Sequence, residues 1–425
     1  MTSPGRTSRW ATCAWLSLLA PLGAMAAEAR APLETVGLAD AVRLALEHNP
    51  DFRSTGYDVA AAQGAVVQAS VLPNPSVFLY TFGRGLSPLD APLPTQFGVS
   101  WTLPVGGRIS AATDAARASL DAARSTREAA RRQLVVSVQT AFLTALLDRA
   151  QLEFSLKDQK GFQQELELNE LRNKDGKIAF GDVLKLRIQA VSIDDTVREA
   201  ALALEGARAD LRRLLGEEVV AADFQTTGEL TAPSVPGAAA AADLVSRTLK
   251  SRPDYLSLLD QERSARASVV AARRTVIPDV SVIVDYNRPG DGVAAPGSYD
   301  LSLSVPIPIF DRNQGNITQA EAAYEKALLA EESLRTQIRS DVTKALNEWQ
   351  TSSALLAAYQ GGVVAEAEQS LEITRHAYEL GSGTLLDFLG AEASYRQIQS
   401  AFRAALARCV IAAHNLQFVT GEADQ

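Results

Sequence analysis

The chain is poor in the residues that most often carry chemistry. Its 425 residues include 2 Cys, 2 Met and 3 His. These side chains do not cluster along the sequence, and soft or transition metals need several of them at set spacings. No resident metal and no cofactor is therefore expected. Cys13 falls in an apolar leader, which leaves Cys409 as the only cysteine of the mature chain. No intrachain disulfide can form, even in an oxidising compartment. The apolar helical setting of Cys409 (LARCVIAAHNL) reads as that of a buried thiol. Positive charge is also in deficit, with 41 Lys+Arg against 50 Asp+Glu and a net charge of −9. That balance argues against a nucleic-acid partner. Beyond the leader no apolar run reaches the about 18 residues of a membrane-spanning helix. Nucleophile–base pairs and metal triads are missing, and the Gly-x-Gly at Gly381–Gly383 lies in a turn with no strand before it. No catalytic residues are assigned, and the chain is not read as an enzyme. Proline is absent from Val105 to Ala232 and again from Ile309 to Gln425. Two very long helical stretches are therefore open to the chain.

The N-terminus carries Arg6 and Arg9, a short apolar run from Trp10 to Leu22, and the small-residue site Ala24-Met25-Ala26. This is the pattern of a secretory signal peptide over 1–26, with the mature chain starting at Ala27. Cys13 lies too far from that cleavage site to be a lipid-anchor cysteine.

The mature chain states one pattern twice. Asp40–Phe52 (DAVRLALEHNPDF) returns as Asp243–Tyr255 (DLVSRTLKSRPDY). Pro73 pairs with Pro278, Pro104 with Pro306, Gly176 with Gly381, Asp182 with Asp387 and Gly216 with Gly421, at a spacing of about 205 residues. A spacing kept over such a distance indicates two copies of one supersecondary unit. The division is a first repeat over 27–221, a linker or equatorial region over 222–242, and a second repeat over 243–425. Each repeat reads helix, β-hairpin (76–103 and 279–305), then a long helical hairpin.

The strands alternate with period 2. Phe97, Val99, Trp101 and Leu103 share one face, opposite Gln96, Gly98, Ser100 and Thr102. Tyr299, Leu301, Leu303 and Val305 oppose Asp300, Ser302 and Ser304; Val280–Tyr286 alternates likewise, and Phe78, Tyr80 and Phe82 fall on one side. An uncharged apolar face opposite a polar one suits a transmembrane β-strand, and it equally suits a half-buried soluble sheet. If the strands lie in lipid, Phe97, Val99, Trp101, Leu103, Leu301 and Leu303 face it. Four strands cannot close a membrane barrel, and open edges are forbidden in hydrocarbon. Two chains would give eight strands, an interior that side chains nearly fill; three give twelve and a water-filled lumen. On the membrane reading the chain is therefore a homotrimer.

Arg108–Arg172 is about 65 residues of helix-forming sequence, on the order of 100 Å long, and Gln314–Leu380 is its twin. Val138, Phe142, Ala145, Leu152, Leu156 and Leu166 follow three- and four-residue steps, as do Val342, Leu346, Trp349 and Leu356. That is a heptad-like seam for coiled-coil packing. The helices turn back at Asn173–Gly181 and Gly381–Gly383, and a second helix of about 35 residues returns from each turn.

With these features together, the mature chain resembles the TolC-type outer-membrane efflux factors. The carriers are the two-fold repeat, the DAVRLALEHNP opening, and the tip motifs GKIAFGDVLKLR (Gly176–Arg187) and YELGSGTLLDFLGA (Tyr378–Ala391). The segment VPIPIFDRNQGNI (Val305–Ile317) is most similar to the heavy-metal (cobalt–zinc–cadmium type) RND efflux subgroup. The resemblance implies an α+β membrane channel of the Gram-negative outer membrane. In it, four β-strands per chain join a shared 12-strand trimeric barrel, continued by a long α-helical coiled-coil periplasmic tunnel. Its implied partners are two further copies, outer-membrane lipid, a periplasmic adaptor (membrane fusion) protein and an inner-membrane RND pump.

The tips then take roles. Asp182 and Asp387 open the returning helices, where a carboxylate complements the helix dipole. By resemblance the same aspartates, repeated by three-fold symmetry, form an acidic ring at the periplasmic gate. Tyr378 matches a tyrosine of the closing links. The second acidic position of such gates falls on Gly390, and a position that is basic in better-known members falls on Gly383. Adaptor docking is assigned to Gly176, Gly181, Val183, Leu184, Gly381, Gly383, Leu385 and Leu386; Leu389 is the remaining apolar tip residue. His376 is a lone histidine before the second tip, and His48 marks helix termination ahead of Asn49-Pro50. The leading function is a passive exit duct of a tripartite efflux pump for heavy-metal cations. A duct for drug efflux or type I protein secretion and a soluble periplasmic scaffold stay open beside it.

Overall fold

The computed structural model describes residues 33–81, 95–228, 241–289 and 296–420. The leader 1–26, most of both strand-hairpin tips, most of the 222–242 linker and Gly421 lie outside them. The first half runs β1 (Leu33–Val36), α1 (Leu38–His48), α2 (Pro50–Ser70), β2 (Ser76–Thr81), β3 (Thr95–Leu103), α3 (Arg108–Lys174), α4 (Phe180–Leu215) and β4 (Val220–Thr226). The second runs α5 (Ala241–Ser251), α6 (Pro253–Arg274), β5 (Val280–Arg288), β6 (Ser298–Ser304), α7 (Gln314–Ala358), α8 (Val364–Glu379) and α9 (Leu385–Thr420).

The repeated opening motif is two helices rather than one. The residue before a proline is pushed out of the helical region. Asn49 accordingly sits at φ −61°, ψ 120°, and Arg252 at φ −74°, ψ 115°. Pro50 and Pro253 then start new helices, where a missing N–H costs nothing. The Asn49 side chain caps α2 by accepting from the Phe52 amide at 3.0 Å. In the second copy Asp254 takes over, accepting from the Tyr255 amide at 2.9 Å.

The four long strands form one antiparallel sheet in the order β2-β3-β5-β6. Its register stacks Leu79, Phe97, Tyr286 and Tyr299 across one face, and beside them Val77, Val99, Val284 and Leu301. Trp101, Val282 and Leu303 continue that face, and its charge among the described residues is Arg288, opposite Thr95 at the loop end. Gln96, Gly98, Ser100 and Thr102 share the other face with Ser281, Asp285, Asn287, Asp300 and Ser302. Phe78 and Tyr80, grouped in sequence as an apolar side, lie on this polar face, because Phe78 pairs with Gly98 and Tyr80 with Gln96. The helices repeat the strand order, with α2 against α3, α3 against α6 and α6 against α7.

α3 is one unbroken helix of 67 residues. Its twin is interrupted by a π-helical turn at Tyr359–Val363, where Gly362 takes φ 134°, ψ −23°. Only glycine adopts that backbone readily, so the Gly361-Gly362 pair permits the break. The heptad-like seam is real at Val138, Phe142 and Ala145 and at Val342 and Leu356, all buried. It fails at Leu156, which is 46% exposed, and Phe162 is buried instead.

The stretch read as a linker begins with a strand. β4 pairs in parallel with β1, Val36 opposite Thr226, and buries Val220 and Phe224 in a core with Leu44, Val138, Phe142 and Leu211. This core fixes the middle of the helical bundle. A second core, around Tyr255, Ile338, Val342 and Leu416, serves the other half.

Candidate functional site

The two helical tips are built alike. Gly176 and Gly381 both take φ 74°, the left-handed conformation that closes a helix. Lys177 N–H donates to Arg172 O at 2.8 Å, and Ser382 N–H to Ala377 O at 2.9 Å. The returning helices differ at their starts. Thr384 and Asp387 form a reciprocal cap: the Asp387 amide donates to Thr384 Oγ1 at 3.2 Å, and the Thr384 hydroxyl to Asp387 Oδ2 at 2.6 Å. Asp182 has no such partner before it and pairs with Lys185 Nζ at 3.1 Å.

Between the tips lies a polar cleft of about 640 Å³, lined by Arg172, Lys177, Asp182, Lys185, Tyr378 and Glu379 among others. Asp182 and Tyr378 therefore meet in one place, whereas Asp387 stays exposed outside the cleft lining. Burial first, and then the Asp182 carboxylate, push the Tyr378 phenol above its ordinary range. The Tyr378 hydroxyl donates to Asn169 Oδ1 at 2.8 Å, and its ring stacks on Phe388 at 5.6 Å. Asn169 is fully buried and also donates to Glu165 O, so this bond ties α8 to α3 inside one chain. Of the residues assigned to docking, Gly176, Gly181, Leu184, Gly381 and Leu386 are exposed and Gly383 is half-buried. Val183 and Leu385 are buried and pack within the tip, away from its outer surface.

A group that the sequence reading missed lies further up the bundle. Arg396 of α9 stands 3.6 Å from Glu392 and 3.6 Å from Asp158 of α3. One guanidinium thus serves one buried and one half-buried carboxylate. Burial raises Glu392 to about 7, with Asp158 and Glu165 adding to the rise and Arg396 and Arg375 opposing it. Asp158 is raised by burial as well. The folded chain thus keeps a proton that the unfolded chain gives up near the ordinary value of 4.5. The stability so gained is full below that value and is lost as pH rises through about 7. The change is at most on the order of 3 kcal/mol. Glu392→Gln should flatten the fall in melting temperature between pH 5 and pH 8, and an unchanged slope would clear Glu392 of it.

The sheet is the second candidate surface. Its apolar face is open, with Val77, Leu79, Phe97, Val99, Tyr299, Leu301 and Leu303 each 45% or more exposed. Its polar face holds Asp285 and Asp300 opposite each other. Gln96 donates to Asp285 at 2.7 Å, and Asn287 donates to both aspartates.

A four-stranded sheet with one exposed apolar face, set on a bundle of very long helices, is the architecture expected of a channel-forming envelope protein. The model of the outer membrane efflux protein family matches residues 41–217 and 244–422, and the chain belongs to that family. It is 25% identical to the cobalt-zinc-cadmium resistance protein CzcC of Cupriavidus metallidurans, over 93% of this chain and 91% of the relative. It is 24% identical to the alkaline protease secretion protein AprF of Pseudomonas aeruginosa, over 92% of this chain and 85% of the relative. Among solved structures, CusC superposes with a TM-score of 0.75 at 20% identity, covering 90% of this chain and 92% of that one. The protein is an outer-membrane efflux channel of Gram-negative cells that extends into the periplasm, and it is not an enzyme. Members of the family form trimeric channels that work with adaptors and inner-membrane pumps.

Proposed function

We propose that three copies of this chain close one twelve-stranded barrel, continued by a helical tunnel, as the passive exit duct of a tripartite RND-type system for heavy-metal cations. The carrying observation is the sheet: one apolar face, charged only at Arg288 beside the loop end among the described residues, and the free edges of β2 and β6 on either side. In lipid such edges must be satisfied, and antiparallel pairing of β6 with the β2 of a neighbour satisfies them. The acidic pair Asp285–Asp300, repeated three times around a lumen, favours cations. Mass by light scattering in detergent and a planar-bilayer recording on the same sample test the assembly. A conducting, cation-preferring trimer is expected, and a non-conducting monomer would overturn it.

The cargo is read from the likeness to CzcC and from the Val305–Ile317 segment. Deleting the gene should lower tolerance to cobalt, zinc or cadmium. Unchanged tolerance with a lost secreted protein would favour the reading suggested by AprF instead.

At the periplasmic end, Asp182, Tyr378 and Asp387 are the gate residues of this reading. The exposed tip residues Gly176, Gly181, Leu184, Gly381 and Leu386, with Gly383, meet the adaptor. Asp387→Asn keeps an oxygen for the Thr384 cap and removes the charge. It should raise single-channel conductance and weaken block by added divalent cations. Unaltered block would leave Asp387 as a helix cap alone.

A further inference from the structure

The two repeats differ where strand gives way to helix. Between β3 and α3 the chain needs only residues 104–107, whereas between β6 and α7 it uses residues 305–313. The longer segment is a stiff strap. Pro306 and Pro308 restrict its backbone. Its polar end is pinned: the Asn313 side chain donates to Ala272 O at 2.8 Å, and the Asn313 amide donates to Asp311 Oδ1 at 2.8 Å. Its apolar end has no cover, with Ile307 78%, Ile309 59% and Phe310 90% exposed. On the opposite flank of the chain, α2 buries no residue; Val67 near its C-terminal end is 62% exposed, and Val71 and Leu72 just after it are each 52% exposed.

The order of elements brings these two patches together. Strands and helices share one order, so β6 and α7 form one flank while β2 and α2 form the other. When β6 pairs antiparallel with the β2 of the next chain, the end of β6 lies beside the start of that β2. The strap leaves the end of β6, and α2 leads into the start of β2. We propose that Ile307, Ile309 and Phe310 of one protomer seat on Val67, Val71 and Leu72 of the next, a clasp between copies of this chain where barrel becomes tunnel. The clasp rests on the trimeric reading above. Pinning of the strap limits the conformational entropy lost on seating, as preorganisation does in any interface.

Cysteine cross-linking tests it. Cys409 is buried and is replaced by serine to give a silent background. Phe310→Cys combined with Leu72→Cys, treated with a short bismaleimide in native membranes, should give covalent dimers and trimers, and neither single variant should. Light scattering on untreated protein separates the possible failures. A trimeric mass without cross-links overturns the clasp and leaves the channel standing, whereas a monomeric mass overturns the trimer itself. A label at position 310 that a lipid-phase quencher reaches in the intact trimer also overturns the clasp, and assigns the strap to the membrane surface. Phe310→Ser should lower the detergent concentration at which trimers come apart, and no shift there counts against the clasp.

Discussion

Leu301→Arg should abolish recovery of the assembled channel, while Ser302→Arg, one residue on, should be tolerated. Leu301 is the central residue of β6, opposite Val284 on the apolar face, and is 70% exposed in the single chain. Ser302 points to the other face, opposite Ile283 and in line with Ser100 and Asp285. An arginine on the lipid face near the bilayer midplane costs about 2–4 kcal/mol. Three-fold symmetry would bring this to roughly 6–12 kcal/mol per barrel, comparable to the whole stability of an ordinary domain. β6 is also an edge strand, so in the proposed trimer the charge would sit where one chain pairs with the next. Trp101→Asp should do less harm, because its indole N–H donates to Pro73 O at 2.8 Å and so lies at the strand–helix junction, near the membrane surface. Trimer yield and heat-modifiable gel mobility measure both variants. Equal yields for Leu301→Arg and Ser302→Arg would refute the assignment of faces.

The sequence revealed these faces because the code for a strand is local. A period of two in Phe97–Leu103 and Tyr299–Val305 states which side chains go together, whatever lies on either side. The long helices were legible for the same reason, through absent prolines and apolar steps of three and four. Elements that depend on distant partners were not legible. β4 (VAADFQT) shows little alternation, and its ladder with β1 is a parallel pairing across the length of the first repeat. The broken second long helix had a visible sign in Gly361-Gly362. A glycine pair inside a helical run does not by itself distinguish a break from a close approach, and Gly161 sits in continuous helix in α3.

The tips divide in the same way. The glycines at 176 and 381 and the cap at Asp387 are encoded within a few residues. Tyr378 drew attention only through resemblance, because its partner Asn169 lies 209 residues away. Glu392 and Arg396 read in sequence as an ordinary exposed pair one helical turn apart. Burial turns them into something else, and burial comes from α3, which brings Asp158 to the same guanidinium. Leu156 erred in the opposite direction. It fits the seam by spacing yet stays 46% exposed.

Gly98→Ala is the smallest substitution expected to disassemble the sheet. A methyl group there would stand 2.5 Å from Asp285 Cβ, 2.6 Å from the Val284 carbonyl oxygen and 2.8 Å from the tip of the Phe78 ring. The ring can turn away. The other two contacts belong to the backbone of β5 and its first side-chain atom, which no rotamer moves. β3 must therefore draw away from β5, and this is the pairing that joins the hairpin of one repeat to that of the other. Overpacking of this kind typically costs about 1–3 kcal/mol, here in each of three protomers. A lone two-stranded hairpin is marginal without neighbours, so parting β3 from β5 leaves neither half able to hold its place in a barrel. Ser100→Ala, on the same face, adds no atom in a crowded place and serves as the control. The double variant Gly98→Ala with Phe78→Ala separates the causes. If strand separation is the fault, removing the ring restores little of the trimer measured by gel mobility. If the double variant assembles as wild type does, the Phe78 ring alone set the limit, and the β3–β5 pairing has slack that these distances deny.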